Sequence, residues 1–106
     1  MTDQVRASHI LLAFAGAQNS SVERSREEAL AEIGNLKIQL DEGADFAELA
    51  IAYSDCPSSR QGGDLGDFGR GMMVPEFETA AFGMDIDAVS DVVETAFGYH
   101  LIQRTA

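Results

Sequence analysis

Two histidines interrupt two apolar, strand-like segments near opposite ends of a 106-residue chain that has no other histidine. His9 lies in Val5-Arg6-Ala7-Ser8-His9-Ile10-Leu11-Leu12, and His100 in Tyr99-His100-Leu101-Ile102-Gln103-Arg104. Imidazole is costly to bury unless its ring nitrogens find partners. Two imidazoles satisfy each other when their strands are neighbours. The chain is therefore expected to bring its ends together and to build a polar constellation in the middle of its sheet. Its single cysteine stands between them, in the turn Ser54-Asp55-Cys56-Pro57.

The length allows one domain, residues 1–106, with one modest core. Seven Lys and Arg against eighteen Asp and Glu give a net charge of −11. That balance argues against nucleic acid and anionic membranes as partners. One cysteine excludes an internal disulfide and a cysteine-rich zinc site. No segment reads as a signal peptide or a membrane span. A reducing, cytoplasmic setting and a stand-alone monomer are expected.

Residues 5–12 read as a strand and 13–21 as a loop. Ser20-x-x-Glu23 and Ser25-x-x-Glu28 each fit a helix capping box. Ala29, Ile33, Leu36 and Leu40 then form one apolar stripe, closed by Gly43. Asp45 is placed to cap a second helix, with Phe46, Leu49, Ala50 and Tyr53 on its inner face, and Pro57 stops it near Ser54. The glycine-rich stretch from Pro57 to Gly71 reads as an ordered loop, anchored by Leu65 and Phe68, with a short strand at 67–69. Pro75 opens a helix that turns Phe77, Ala80, Ala81 and Met84 inward. Val89–Thr95 and Tyr99–Thr105 are expected strands around a hairpin at 96–98. The order strand, helices, strand, helix, strand, strand predicts an α+β fold. It has a small, mostly antiparallel four-stranded sheet surrounded by about four helices.

In this order the sequence resembles the parvulin family of peptidyl-prolyl cis-trans isomerases over nearly its whole length. The resemblance runs through Val5–Leu11, Phe46-Ala47-Glu48-Leu49-Ala50 and Tyr53-Ser54-Asp55-Cys56-Pro57-Ser58. It continues through Gly62-Gly63-Asp64-Leu65-Gly66, Phe68-Gly69-Arg70-Gly71-x-Met73-Val74-Pro75-x-Phe77-Glu78, Val89-Ser90 and Val93-x-Thr95. It closes on Phe97-Gly98-Tyr99-His100-Leu101-Ile102-x-Arg104. It implies a parvulin/FKBP-like fold and rotation of X-Pro bonds, without metal or cofactor, in peptides and in unfolded or partly folded proteins. It places His9 and His100 as a tandem at the centre of the site, and Cys56 beside the susceptible bond. Leu65, Met73 and Phe77 fall on the pocket for the proline ring, and Thr95 on a residue bonded to the histidine pair. Phe97 faces the tandem as an apolar residue.

Some family members demand a phosphorylated or acidic residue before proline and carry basic residues after the first strand. Here that loop is Ala13-Phe14-Ala15-Gly16-Ala17-Gln18-Asn19, without a cation, and the nearest are Arg24 and Arg26. A non-phosphospecific member is expected. Asp87 stands where many relatives have glycine, and Asp tolerates positive φ better than most residues. Arg70 either anchors its loop or meets substrate carbonyls.

Turning an X-Pro bond breaks amide resonance, a barrier of roughly 18–20 kcal/mol. The enzyme needs only to bind the twisted amide better than the planar one. A dry apolar pocket does so, because the twisted amide separates less charge. Cys56 would act either as a nucleophile or through its field, with Asp55 beside it; the second is preferred, since covalent attack invites hydrolysis. Other readings are a chaperone-like binding module of the same fold, a cysteine hydrolase using Cys56 with a histidine, and a metal site. The last two lack an oxyanion turn and a ligand spacing.

Overall fold

The computed structural model describes residues 4–17 and 22–105. Strand β1 (Gln4–Leu12) leads through a loop to helices α1 (Arg26–Asp41) and α2 (Phe46–Tyr53). A 3-10 helix (Pro57–Gln61) precedes β2 (Asp64–Gly69), followed by α3 (Pro75–Phe82), β3 (Val93–Thr95) and β4 (Gly98–Arg104). The strands form one sheet in the order β2-β1-β4-β3, with every pairing antiparallel. The first and last strands are thus its two central members. The expected four helices are three α-helices and one 3-10 turn among the described residues.

Side chains alternate across β1, so each face of the sheet receives its own layer. On one face Ile10, Leu12, Tyr99 and Leu101 meet Ala29, Ile33 and Leu36 of α1 and Phe46, Leu49 and Ala50 of α2. On the other, Val5, Ala7 and Ile102 meet Phe68, Phe77 and Ala81, which brings α3 over the sheet. The capping box at Ser25 forms in full: Ser25 Oγ accepts from Glu28 N at 3.1 Å, and Glu28 accepts from Ser25 N at 2.9 Å. The alternative start at Ser20 lies outside the described residues. Asp45 caps α2 through Glu48 N at 3.1 Å.

Three expectations are corrected. Tyr53 is 42% exposed rather than inward. It is the last residue of α2, and the chain turns to extended backbone at Ser54. The short strand at 67–69 starts earlier, at Asp64, because a bulge lets β2 keep pace with β1: Arg6 faces Asp67, whereas Ser8 faces Asp64. The strand expected over Val89–Thr95 is split. Val89 forms an isolated bridge to Gln103, and pairing resumes only at Val93. Ser90 is the cause. Its backbone N–H donates to Ile102 O at 2.8 Å, while its hydroxyl accepts from Ile102 N at 3.0 Å and donates to Asp91 O at 2.7 Å. A side chain has taken the place of a ladder carbonyl. The turn before it holds Asp87 at φ 70°, as its tolerance of that region allowed.

Two glycines admit close backbone contacts with the central strand. At Gly63 (φ +85°) a Cβ would stand 2.3 Å from His9 O, and at Gly98 (φ +140°) one would stand 2.5 Å from Leu12 O. His9 N donates to Gly63 O at 2.9 Å, so the glycine is part of the lattice that holds His9.

Ser90→Ala would leave Ile102 N–H buried without its acceptor. We expect a loss of about 1–3 kcal/mol in urea unfolding; an unchanged midpoint would show that the hydroxyl does not hold the split strand together.

Candidate active site

The register of the two central strands builds the site. His9 faces Ile102 and Leu11 faces His100, so the histidines are diagonal neighbours on one face. Their Nδ1 atoms are 3.1 Å apart, and the rings stack at 5.2 Å with an interplanar angle of 24°. Both are buried, at 6% and 3% exposure. Phe77 of α3 stands edge-on to both rings, at 5.5 Å from His9 and 5.6 Å from His100. Phe68 backs Phe77 at 5.9 Å.

The hydrogen-bond chain allows two arrangements of protons. Thr95 Oγ1 lies 2.8 Å from His100 Nε2 and accepts from Phe97 N at 3.2 Å. If the Thr95 hydroxyl donates to His100 Nε2, His100 Nδ1–H donates to His9 Nδ1, and the His9 proton sits on Nε2. One donor, His9 Nε2–H, is then left without a partner among the described residues. The reverse chain leaves two loose ends, the Thr95 hydroxyl hydrogen and the His9 Nε2 lone pair. Both arrangements make the same three hydrogen bonds, and the first is selected because it leaves one polar atom unmatched rather than two. The tandem thus ends in a buried N–H.

Leu65 and Met73 are half-buried against the cluster that contains Phe77, Phe68 and Ile102. An apolar wall therefore adjoins the imidazole pair. Phe97 is half-buried on the hairpin, and its backbone N–H donates to Thr95 Oγ1; among the described residues its ring makes no aromatic contact with either imidazole.

Cys56 is half-buried, and its thiol makes no hydrogen bond among the described residues. Its place is set by the two residues before it, whose part sequence reasoning missed. Ser54 Oγ accepts from Leu11 N at 3.0 Å, and Asp55 N donates to Leu11 O at 2.7 Å. Asp55 Oδ2 accepts from Ala13 N at 3.0 Å and pairs with Arg24, which also donates to Ala13 O at 3.0 Å. Leu11 is the cross-strand partner of His100. The turn carrying Cys56 is thus bonded to the strand that carries the tandem. This corrects the idea of Asp55 as an electrostatic helper of the thiol: its carboxylate is committed to the end of β1 and to Arg24. The signal available in sequence was Ser-Asp itself, two residue types that bond nearby backbone readily. Arg70 lies over the Phe82 ring, 4.4 Å from its centroid, which favours the loop anchor. Among the described residues, no three His, Cys, Asp or Glu side chains converge as metal ligands would.

The sequence matches the PPIC-type PPIase domain family over residues 1–106. The chain belongs to that family. It is 38% identical to the peptidyl-prolyl cis-trans isomerase Pin1 of Arabidopsis thaliana, covering 98% of this chain and 97% of that one. It is 49% identical to the foldase protein PrsA of Halalkalibacterium halodurans, covering 96% of this chain but 26% of that one. Among solved structures, the peptidyl-prolyl isomerase ESS1 from Candida albicans superposes with a TM-score of 0.92 at 37% identity, over 98% of this chain and 63% of that one. The solution structure of TbPIN1 gives 0.91 at 34% identity over the full length of both. The parvulin resemblance and the α+β fold both hold, and the chain is a peptidyl-prolyl cis-trans isomerase.

Burial holds both imidazoles neutral: it pushes His9 down to about 4, and burial with the neighbouring His9 pushes His100 down to about 3. In the unfolded chain each titrates near 6.5. Between those limits the unfolded state binds more protons, so the tandem's stability is complete above pH 6.5 and is lost as pH falls. These are the only two histidines in the sequence. Glu28, held down by its Ser25 hydrogen bonds, and Asp64, held down by Arg6, add losses of the same sign only at lower pH. Urea unfolding at pH 6.5 and 5.0 should differ by about 3 kcal/mol. A stability flat over that interval would mean the imidazoles are solvated.

Proposed function

We propose that this domain turns X-Pro bonds by non-covalent stabilisation of the twisted amide, without requiring a phosphorylated residue before proline. One observation carries the reading: a neutral, fully buried histidine tandem shares its face with an apolar wall of Leu65, Met73 and Phe77. A proline ring seated there brings its amide out of water. The planar form, with partial charges on nitrogen and oxygen, is disfavoured most by that move. Lowering the barrier by about 4 kcal/mol gives roughly a thousandfold acceleration. His9 Nε2–H supplies a donor for an amide group entering the pocket, and Thr95 fixes its tautomer through His100. Cys56 acts through the field of its sulfur beside the carbonyl. Phe97 contributes apolar cover.

The charge distribution supports the absence of a phosphate requirement. Ala13 to Ala17 carry no cation. Arg24 is paired with Asp55 and Glu32, and Arg26 with Glu94 and the Tyr99 hydroxyl. The clients are proline-containing peptides and partly folded proteins. The free thiol suits a reducing, cytoplasmic compartment, and we assign the working unit as a monomer.

Exchange NMR on X-Ala-Y-Pro peptides tests this, with Y set to Glu, Leu, Arg and phosphoserine. Leu and Arg should be turned at least as fast as phosphoserine; a phosphoserine preference of tenfold or more would overturn the specificity reading. Cys56→Asp should keep turnover within about tenfold of the parent, since a carboxylate preserves the field but cannot add to the carbonyl as a thiolate would. Complete loss in a folded variant would favour the nucleophile.

A further inference from the structure

We infer that the sheet face opposite the histidines carries a second peptide-binding groove, selective for basic segments and distinct from the proline site. The groove is about 530 Å³, within the range of cavities that hold small ligands. It lies where α1 and α2 stop covering the sheet. Leu40 at the end of α1 and Phe46 at the start of α2 form its apolar side. Ser8 of β1 and Gln103 of β4, cross-strand partners, form its floor. Asp45 and Asp87 stand at its margins.

The chemistry of the floor points to a ligand. Ser8 is 8% exposed, lines the groove, and its hydroxyl has no hydrogen-bond partner among the described residues. That hydroxyl opens onto the groove, within reach of an occupant. Among the described residues, the Gln103 amide beside it is also without a side-chain partner. Asp45 uses one carboxylate oxygen on Glu48 N and keeps the other free. The Asp87 carboxylate has no partner among the described residues, and its backbone N–H is fixed by donation to Arg104 O at 2.6 Å. No Lys or Arg lines the groove among the described residues. The occupant that satisfies this set is a cationic, multiply donating side chain on an extended backbone, that is, an arginine- or lysine-bearing peptide. Guanidinium forks onto a carboxylate, and the remaining donors and the peptide amides reach Ser8 and Gln103. An overall charge of −11 raises the local concentration of such segments. A client held there by a basic segment would present nearby prolines to the other face at raised effective concentration.

The test uses a proline-free peptide, acetyl-Gly-Arg-Gly-Arg-Gly-amide, titrated into the 15N-labelled domain at 150 mM salt. Saturable shifts at Ser8, Asp87 and Gln103, without shifts at Met73 or Phe77, are expected. Asp87→Asn and Ser8→Ala should each weaken binding about fivefold or more, while turnover of a short Leu-Pro peptide stays unchanged. The same peptide with Arg replaced by Glu should not bind. Shifts confined to the proline site, binding indifferent to both substitutions, or no saturable shift at 10 mM peptide would each overturn the groove. Since the peptide lacks proline, none of these outcomes bears on the isomerase reading.

Discussion

The antiparallel register between the first and last strands is the constraint on which the rest of this structure depends. With Ile10 opposite Leu101, the two histidines fall diagonally on one face, and their Nδ1 atoms meet at 3.1 Å. A slip of one residue in either strand would send one imidazole into the opposite layer, among Ile33, Leu36 and Leu49. The bond between the two Nδ1 atoms would then be lost. The register is therefore held from several directions. Gly63 lies against the His9 backbone, Gly98 against Leu12 and Ala13, and Ser54 with Asp55 against Leu11.

Burial does two things to this pair. It removes water from the ring nitrogens, so their mutual bond and the Thr95 bond must replace solvation. It also removes charge, because no carboxylate offsets the burial of either ring: Asp55, beside Cys56, pairs with Arg24, and Glu94, beside Thr95, pairs with Arg26. A neutral pair beside Phe77 is a rigid, weakly polar surface rather than an acid-base relay. That is what rotation of an amide requires, since no proton has to be transferred.

Much of this was legible in the residues. The Ser25–Glu28 box, the Asp45 cap and the stripe Ala29, Ile33, Leu36 rest on local rules, and all three appear as read. The pairing of His9 with His100 followed from the cost of burying imidazole, and the apolar wall from family resemblance. What escaped were side chains that replace backbone. Ser90 breaks a strand whose composition is good for pairing, because its hydroxyl competes for Ile102 N. Asp55 looks like a catalytic neighbour from its place beside Cys56 but binds a strand end 42 residues away. Periodicity reports which face a side chain occupies, not which backbone group it bonds, so these roles need tertiary structure.

The tandem also sets the order in which the molecule becomes functional. Its two members are 91 residues apart in sequence, whereas the caps that start the intervening helices span only three residues each. Closing so long a loop has a high entropic cost, and contacts of this kind form late in folding. Helices α1 and α2 can gather early, whereas the reactive face exists only once β4 has inserted between β1 and β3. A chain in which that last strand is still free has an apolar hollow in place of a site. Acquisition of activity therefore marks the final step of folding, and a partly folded copy of this protein would present the kind of exposed, unfinished surface that its finished form acts upon.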